Sequence, residues 1–237
     1  MKRMTDITGV FRIQLASMRR EMGPFLLAAL VFPSAMYLFA NAVSGAESQQ
    51  NQNRLRFLAG SIIFSLSLTS ISWLGYLLLE NRFTGRLKLF ATMPLAPSSY
   101  VFGVLIFAIA QALLGTTALL VIGRLLGAHL RPNYFLLLVV IVLTILCLCG
   151  LGVVVAARAR SFTEGSLLTD ALGAGLVLMM PGGLRLFAQF LPTTFAAHAV
   201  QTTLSGSHAI GKELFALSVT ALITLSLGFR LMKWREE

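Results

Sequence analysis

The sequence predicts an all-α integral membrane protein with six transmembrane helices, and three observations lead there. Of its 237 residues, 57% are hydrophobic and 12% charged, where a soluble domain has about 45–50% and about 25%. The apolar residues gather into runs long enough for a helix to cross about 30 Å of hydrocarbon, which takes about 20 residues. The 19 Lys and Arg outnumber the 9 Asp and Glu, giving a net charge of +10, and they fall unevenly on alternate sides of those runs. This composition excludes a soluble enzyme, a disordered tail and a nucleic-acid-binding domain. The basic excess reports orientation in a bilayer instead.

The chain reads as a single transmembrane domain over 1–237. Residues 1–22 are expected to hold an interfacial helix, with Met4, Ile7, Phe11, Leu15, Met18 and Met22 within an arc of about 80° and Arg12, Arg19 and Arg20 off that stripe. Its surroundings would be membrane lipid; the alternative is a solvated start to the first span. The spans are expected at Gly23–Val43, Phe57–Leu79, Tyr100–Ile122, Phe135–Ala157, Ser166–Pro181 and Leu214–Leu231. Pro24 suits a helix start, and Pro33 would kink the first span. That span is too long, and lacks a clean small-residue cleavage site, to be a signal peptide. With the N-terminus inside, 1–22, 80–98, 158–165 and 230–237 hold 13 basic residues, and 41–56, 123–133 and 182–212 hold 6. Both termini are therefore expected to be cytoplasmic, in the cell membrane.

Most of the chemistry-bearing residue types read as structural. Gly206–Glu213 imitates a phosphate-binding loop but ends in Glu, lacks the Mg²⁺-binding hydroxyl and precedes an apolar span. Cys147 and Cys149 lie two apart in a span and point in different directions, unsuited to a metal or a disulfide. His129, His198 and His208 lie between spans without a carboxylate cluster and read as surface histidines. The Gly123–Gly127 G-x-x-x-G sits at a loop and carries Arg124, so it is weak evidence for dimerisation. No catalytic, metal or nucleotide site is expected in this chain.

Three features stand out. In the second span Ser61, Ser65, Thr69, Ser72 and Tyr76 recur at helical spacing within about 80°, a polar stripe that either lines a substrate pathway or glues helices together. Asp170 is the only acid inside an expected span, about one turn in, with Arg158 or Arg160 as candidate partners. The loop 80–98 has an amphipathic middle, with Phe83, Leu87 and Phe90 at helical spacing among Arg82, Arg86 and Lys88. Such a helix either docks into a partner's groove or lies on lipid.

That loop resembles the hallmark of permease subunits of type-2 ATP-binding-cassette exporters. Glu80, Arg82, Gly85, Leu87, Leu89, Thr92, Pro94 and Leu95 match the family's acidic residue, basic pair around a Gly, Leu-rich stretch and Thr/Ser-x-Pro-Leu element. Lys88 departs from it, standing where the family usually has an acid. Leu191-Pro192-Thr193-Thr194, the Leu204-Ser205-Gly206 that follows, and the basic tail Arg230, Lys233 and Arg235 are similar to its late segment.

The resemblance implies a permease with no ATPase site of its own, paired with a second permease chain as a homodimer or with a sister. Two copies of a separate ATPase subunit, carrying ATP and Mg, would dock beneath. Glu80, Arg82, Phe83, Gly85, Arg86, Leu87, Lys88 and Phe90 would couple ATP hydrolysis to the spans, and 182–212 would form re-entrant helices on the outer side. The cargo expected for spans rich in Phe, Leu, Val, Met and Ala is hydrophobic or amphipathic: a drug, antibiotic or lipid. The alternatives are a membrane enzyme acting on lipid, for which the required acids, histidines or nucleophile are scattered, and a non-catalytic assembly factor.

Overall fold

The computed structural model describes residues 8–16, 23, 26–43, 50–86, 97–178 and 191–231, and every described element is a helix. Helix α1 covers 8–16. Helix α2 is a π-helical segment, Leu27–Val31, running into α-helix Phe32–Val43. Pro33 has no N–H to give the fourth residue before it, so a wider turn just upstream is the expected accommodation. Helix α3 runs as α-helix Gln50–Ser67, π-helix Leu68–Trp73 and α-helix Leu74–Phe83. Then follow α4 (Pro97–Leu125), α5 (Tyr134–Arg158), α6 (Phe162–Leu178), α7 (Pro192–Leu204) and α8 (Gly211–Leu231).

Among the described residues four helices are long and apolar enough to cross a membrane: Asn51–Phe83, Phe102–Leu125, Tyr134–Arg158 and Gly211–Gly228. The sequence led us to expect six spans. The other two are shorter among the described residues: α2 has five π-helical residues and twelve α-helical ones, and α6 has 17. Each rises about 26 Å, a few ångströms under the hydrocarbon thickness. Helix α7 has 13 residues, about 20 Å, and is the described helix of the segment 182–212.

Helix α6 also begins four residues before the expected Ser166. Ser161-Phe162-Thr163-Glu164 explains this: Ser161 Oγ accepts from Glu164 N at 3.1 Å and Glu164 Oε2 accepts from Arg160 N at 3.0 Å, a reciprocal cap of the S-x-x-E kind. Asp170 therefore lies about two turns into its helix, not one.

Helix α3 is the hub, touching α2, α4, α5, α6 and α7, and its π-helical segment meets that of α2. Helix α8 packs along α5 more extensively than any other pair and otherwise on α7. Helix α1 is pinned against the bundle by Val10 and Gln14, both buried, and by Phe11, whose ring meets Phe107 edge-on at 6.0 Å. Burial thus follows an i, i+4 line beside the expected apolar stripe, and Leu15 and Ile13 stay exposed. Met4, Ile7, Met18 and Met22 lie outside the described residues.

The Gly123–Gly127 pair serves α4 as a C-terminal cap: Gly127 has φ +81° and Ala128 N donates to Gly123 O at 3.0 Å. Gly206, at φ +86°, ends α7 in the same way, so the phosphate-loop lookalike is a helix cap, a short loop and the start of α8.

Candidate functional site

The last turn of α3 and the residues just past it form the most heavily tied polar cluster at the end of the bundle where α4 and α6 begin. The helix stops where Thr84 N and Oγ1 both donate to Glu80 O, at 2.9 and 2.6 Å. Gly85 follows at φ +76°, a left-handed residue that glycine adopts without steric cost. Glu80 closes onto Arg86 across this turn at 3.1 Å.

Successive residues of a helix point about 100° apart, and here three in a row make three different attachments. Glu80 holds the turn. Asn81 is buried and its Nδ2 donates to the Tyr100 hydroxyl at 2.9 Å, fixing the start of α4. Arg82 Nη1 donates to the carbonyls of Ala156, Ala157 and Ala159 at 3.0, 3.3 and 2.9 Å. Those carbonyls belong to the end of α5, where the helix leaves its last C=O groups without intrahelical donors and its dipole is negative. Arg82 therefore caps a helix other than its own. Phe83 is left 42% exposed with its ring 5.3 Å from the Arg82 guanidinium carbon, and Arg86 is also exposed. Leu87, Lys88 and Phe90 lie outside the described residues.

The polar stripe of α3 is divided. Ser61, Ser65 and Thr69 are buried, and Thr69 Oγ1 returns to Ser65 O at 2.8 Å. Ser72 is half-buried and donates to Thr169 O of α6 at 3.4 Å. Tyr76 is 39% exposed, its ring edge-on to Phe162 at 5.2 Å. A uniform rotation per residue placed all five on one arc, but the π-helical segment between Leu68 and Trp73 turns the helix less per residue and breaks that arc. Ser67, which lay off the stripe, makes the shortest bond to α6, 2.8 Å to Gly173 O. The glycines of the neighbouring helices admit these contacts: a Cβ at Gly173 would come 2.7 Å from Ser72 Oγ, and one at Gly152 would come 3.1 Å from Ser70 O.

Asp170 is exposed, about 100° around α6 from Thr169, and makes no ion pair with Arg158 or Arg160 among the described residues. At the other end of the bundle, His198 Nδ1 meets Glu213 Oε1 at 2.8 Å, a pairing the sequence separation of fifteen residues concealed. Among the described residues no three His, Cys, Asp or Glu side chains converge as a metal would require. Cys147 and Cys149 are both buried and free.

Sequence reasoning found Glu80, Arg82 and Gly85 and missed Asn81, Tyr100 and Ser67. Asn81 had a signal, as a polar residue on the buried side of the span's last turn; Tyr100 and Ser67 had none beyond their polarity in apolar runs. A family model described as ABC-2 type transporter matches residues 6–205, from α1 to the end of α7. No curated protein matches the chain.

Proposed function

The chain belongs to the ABC-2 type transporter family and is a membrane permease component; from that premise we propose that it is the membrane half of an exporter driven by ATP hydrolysed on a separate subunit. The observation that carries the reading is the triple attachment of 80–82. A push on the exposed Phe83 and Arg86 passes through Asn81 to α4 and through Arg82 to the end of α5, so three long helices receive it together. Glu80 and Gly85 shape the turn that presents these residues, and Leu87, Lys88 and Phe90 join them in meeting the partner.

In this reading two copies of the ATPase bind ATP and Mg beneath a pair of permease chains, both termini face the cytoplasm and the protein lies in the cell membrane. Helices α2 and α6 complete six spans, which a helix a few ångströms short achieves by local thinning of the bilayer. Helix α7 belongs to the re-entrant segment on the outer side. The cargo is hydrophobic or amphipathic and leaves from the cytoplasm or the inner leaflet. The buried Ser61, Ser65 and Thr69 serve helix packing here, and the pathway begins nearer Ser72 and Tyr76.

The test is co-expression with an ATPase subunit carrying a complete phosphate-binding loop. Co-purification and substrate-stimulated ATP hydrolysis are expected. Phe83→Asp should abolish the stimulation while the chain still elutes as a single species. Full stimulation by the Phe83→Asp complex would refute the coupling role.

A further inference from the structure

We propose that Asp170 is the counter-charge for a cationic group on the transported molecule, so that the cargo class narrows from amphiphiles in general to amphipathic cations. The proposal rests on the exporter reading above. It starts from two faces of α6. Gly165, Thr169 and Gly173 are buried, against Leu79, Gly75 and Ser72 of α3. Beside them runs a stripe of Thr163, Leu167 and Asp170, all exposed; Leu167 is 66% exposed.

Asp170 is the ninth of the 17 residues of Phe162–Leu178, about 12 Å from either end. An ionised carboxylate at that depth is costly unless it faces a partner or a water-filled path. Among the described residues Asp170 has no such partner. None of its 19 Lys and Arg falls in the middle of an apolar run, and its 3 His all lie between runs. Among the described residues the basic ones nearest the spans, Arg54, Arg56, Arg82, Arg124, Arg158, Lys212 and Arg230, stand in the first two turns or the last turn of their helices. A second copy of the same chain repeats this arrangement, so its described basic residues also stand near helix ends. A ligand carrying its own positive charge supplies the partner, and Leu167, one turn before Asp170 on the same face, offers apolar surface for the rest of such a molecule.

The experiment uses the permease with its ATPase subunit in lipid nanodiscs and two fluorescent amphiphiles, rhodamine 6G, a permanent cation, and Nile red, which is uncharged. Charge-assisted contacts predict that Asp170→Asn weakens rhodamine 6G binding about ten- to a hundred-fold and that Asp170→Glu largely restores it. Nile red affinity should change little. Equal rhodamine 6G affinity in the wild-type and Asp170→Asn complexes, or an equal loss for both dyes, overturns the proposal. The two readings fail separately. Asp170-dependent cation binding without ATP-driven movement of either dye sinks the exporter reading and keeps the site. ATP-driven efflux indifferent to Asp170 does the reverse.

Discussion

Helices α3 and α8 are both apolar enough to cross a bilayer, yet they are held in opposite ways. The membrane-crossing window of α3 is 67% buried and that of α8 is 22% buried. Helix α3 is surrounded by five others and tied to them by side chains reaching foreign backbone: Ser67 and Ser72 to α6, and Arg82 to α5. Helix α8 shows Phe215, Leu222, Ile223 and Leu227 outward and is held chiefly by a seam with α5. That seam is built from small residues. Gly150 faces Thr224, Gly228 faces Val153, and Thr224 Oγ1 donates to Cys147 O at 3.2 Å. Lipid is as apolar as the helices, so association there relies on close packing. A hub spreads its attachment over many contacts, whereas a seam concentrates it.

The seam between α5 and α8 is most vulnerable at Gly150. A Cβ there would lie 2.8 Å from the Thr224 backbone carbonyl carbon, an atom that no rotamer change can move aside. Gly150→Leu should cost at least the upper end of the about 1–3 kcal/mol typical of overpacking and push α8 off α5. Cys147, fully buried and bonded through its carbonyl to Thr224, reports it: maleimide labelling in mild detergent should rise sharply. Labelling as slow as in the unchanged protein would mean that α8 is held by more than this seam.

Arg82→Ala tests the hub at its best-connected residue. It strips the end of α5 of three charge-assisted hydrogen bonds. We expect a loss of about 1.5–3 kcal/mol, read as a lower midpoint of thermal aggregation, together with weaker substrate stimulation of the ATPase. Arg82→Lys should recover part of the stability, because its ammonium still answers the helix dipole, but it lacks the planar fork. If Arg82→Lys restores stability fully and stimulation not at all, the guanidinium is doing its work against the partner and not as a cap.

The same contrast explains what was legible in the sequence. The third and fourth spans were readable to within three residues because polar markers, Pro97, Arg124, Asn133 and Arg158, stand at their ends. The helix of the second span starts well before Phe57, since Gln50–Arg56 is helical without being apolar and hydropathy marks only the apolar part. Gly85 could be read as a turn residue from local chemistry. The Arg82 cap could not, because its acceptors are backbone carbonyls more than seventy positions away with no side-chain signature. Nor could the division of the polar stripe, since a π-helical segment changes the rotation per residue on which any helical wheel depends. The exposed face of Asp170 was hidden for a related reason: which side of α6 is covered depends on where α3 lies.

The smallest expected effects lie in the middle of the hub. Ser67→Ala removes one 2.8 Å bond to Gly173 O, and Ser72→Ala one 3.4 Å bond to Thr169 O. Hydrogen bonds between membrane helices average about 0.6 kcal/mol, since the unpaired hydroxyl finds its own helix's carbonyls, as Thr69 already does with Ser65. Each single change should therefore shift the thermal midpoint less than Arg82→Ala does, with the longer Ser72 bond contributing less than the Ser67 one. The double variant tests the idea of distributed attachment. The two serines bond carbonyls one helical turn apart on the same helix, so if they act independently their costs add; a double loss approaching that of Gly150→Leu would show that α3 and α6 are joined by a second brittle seam.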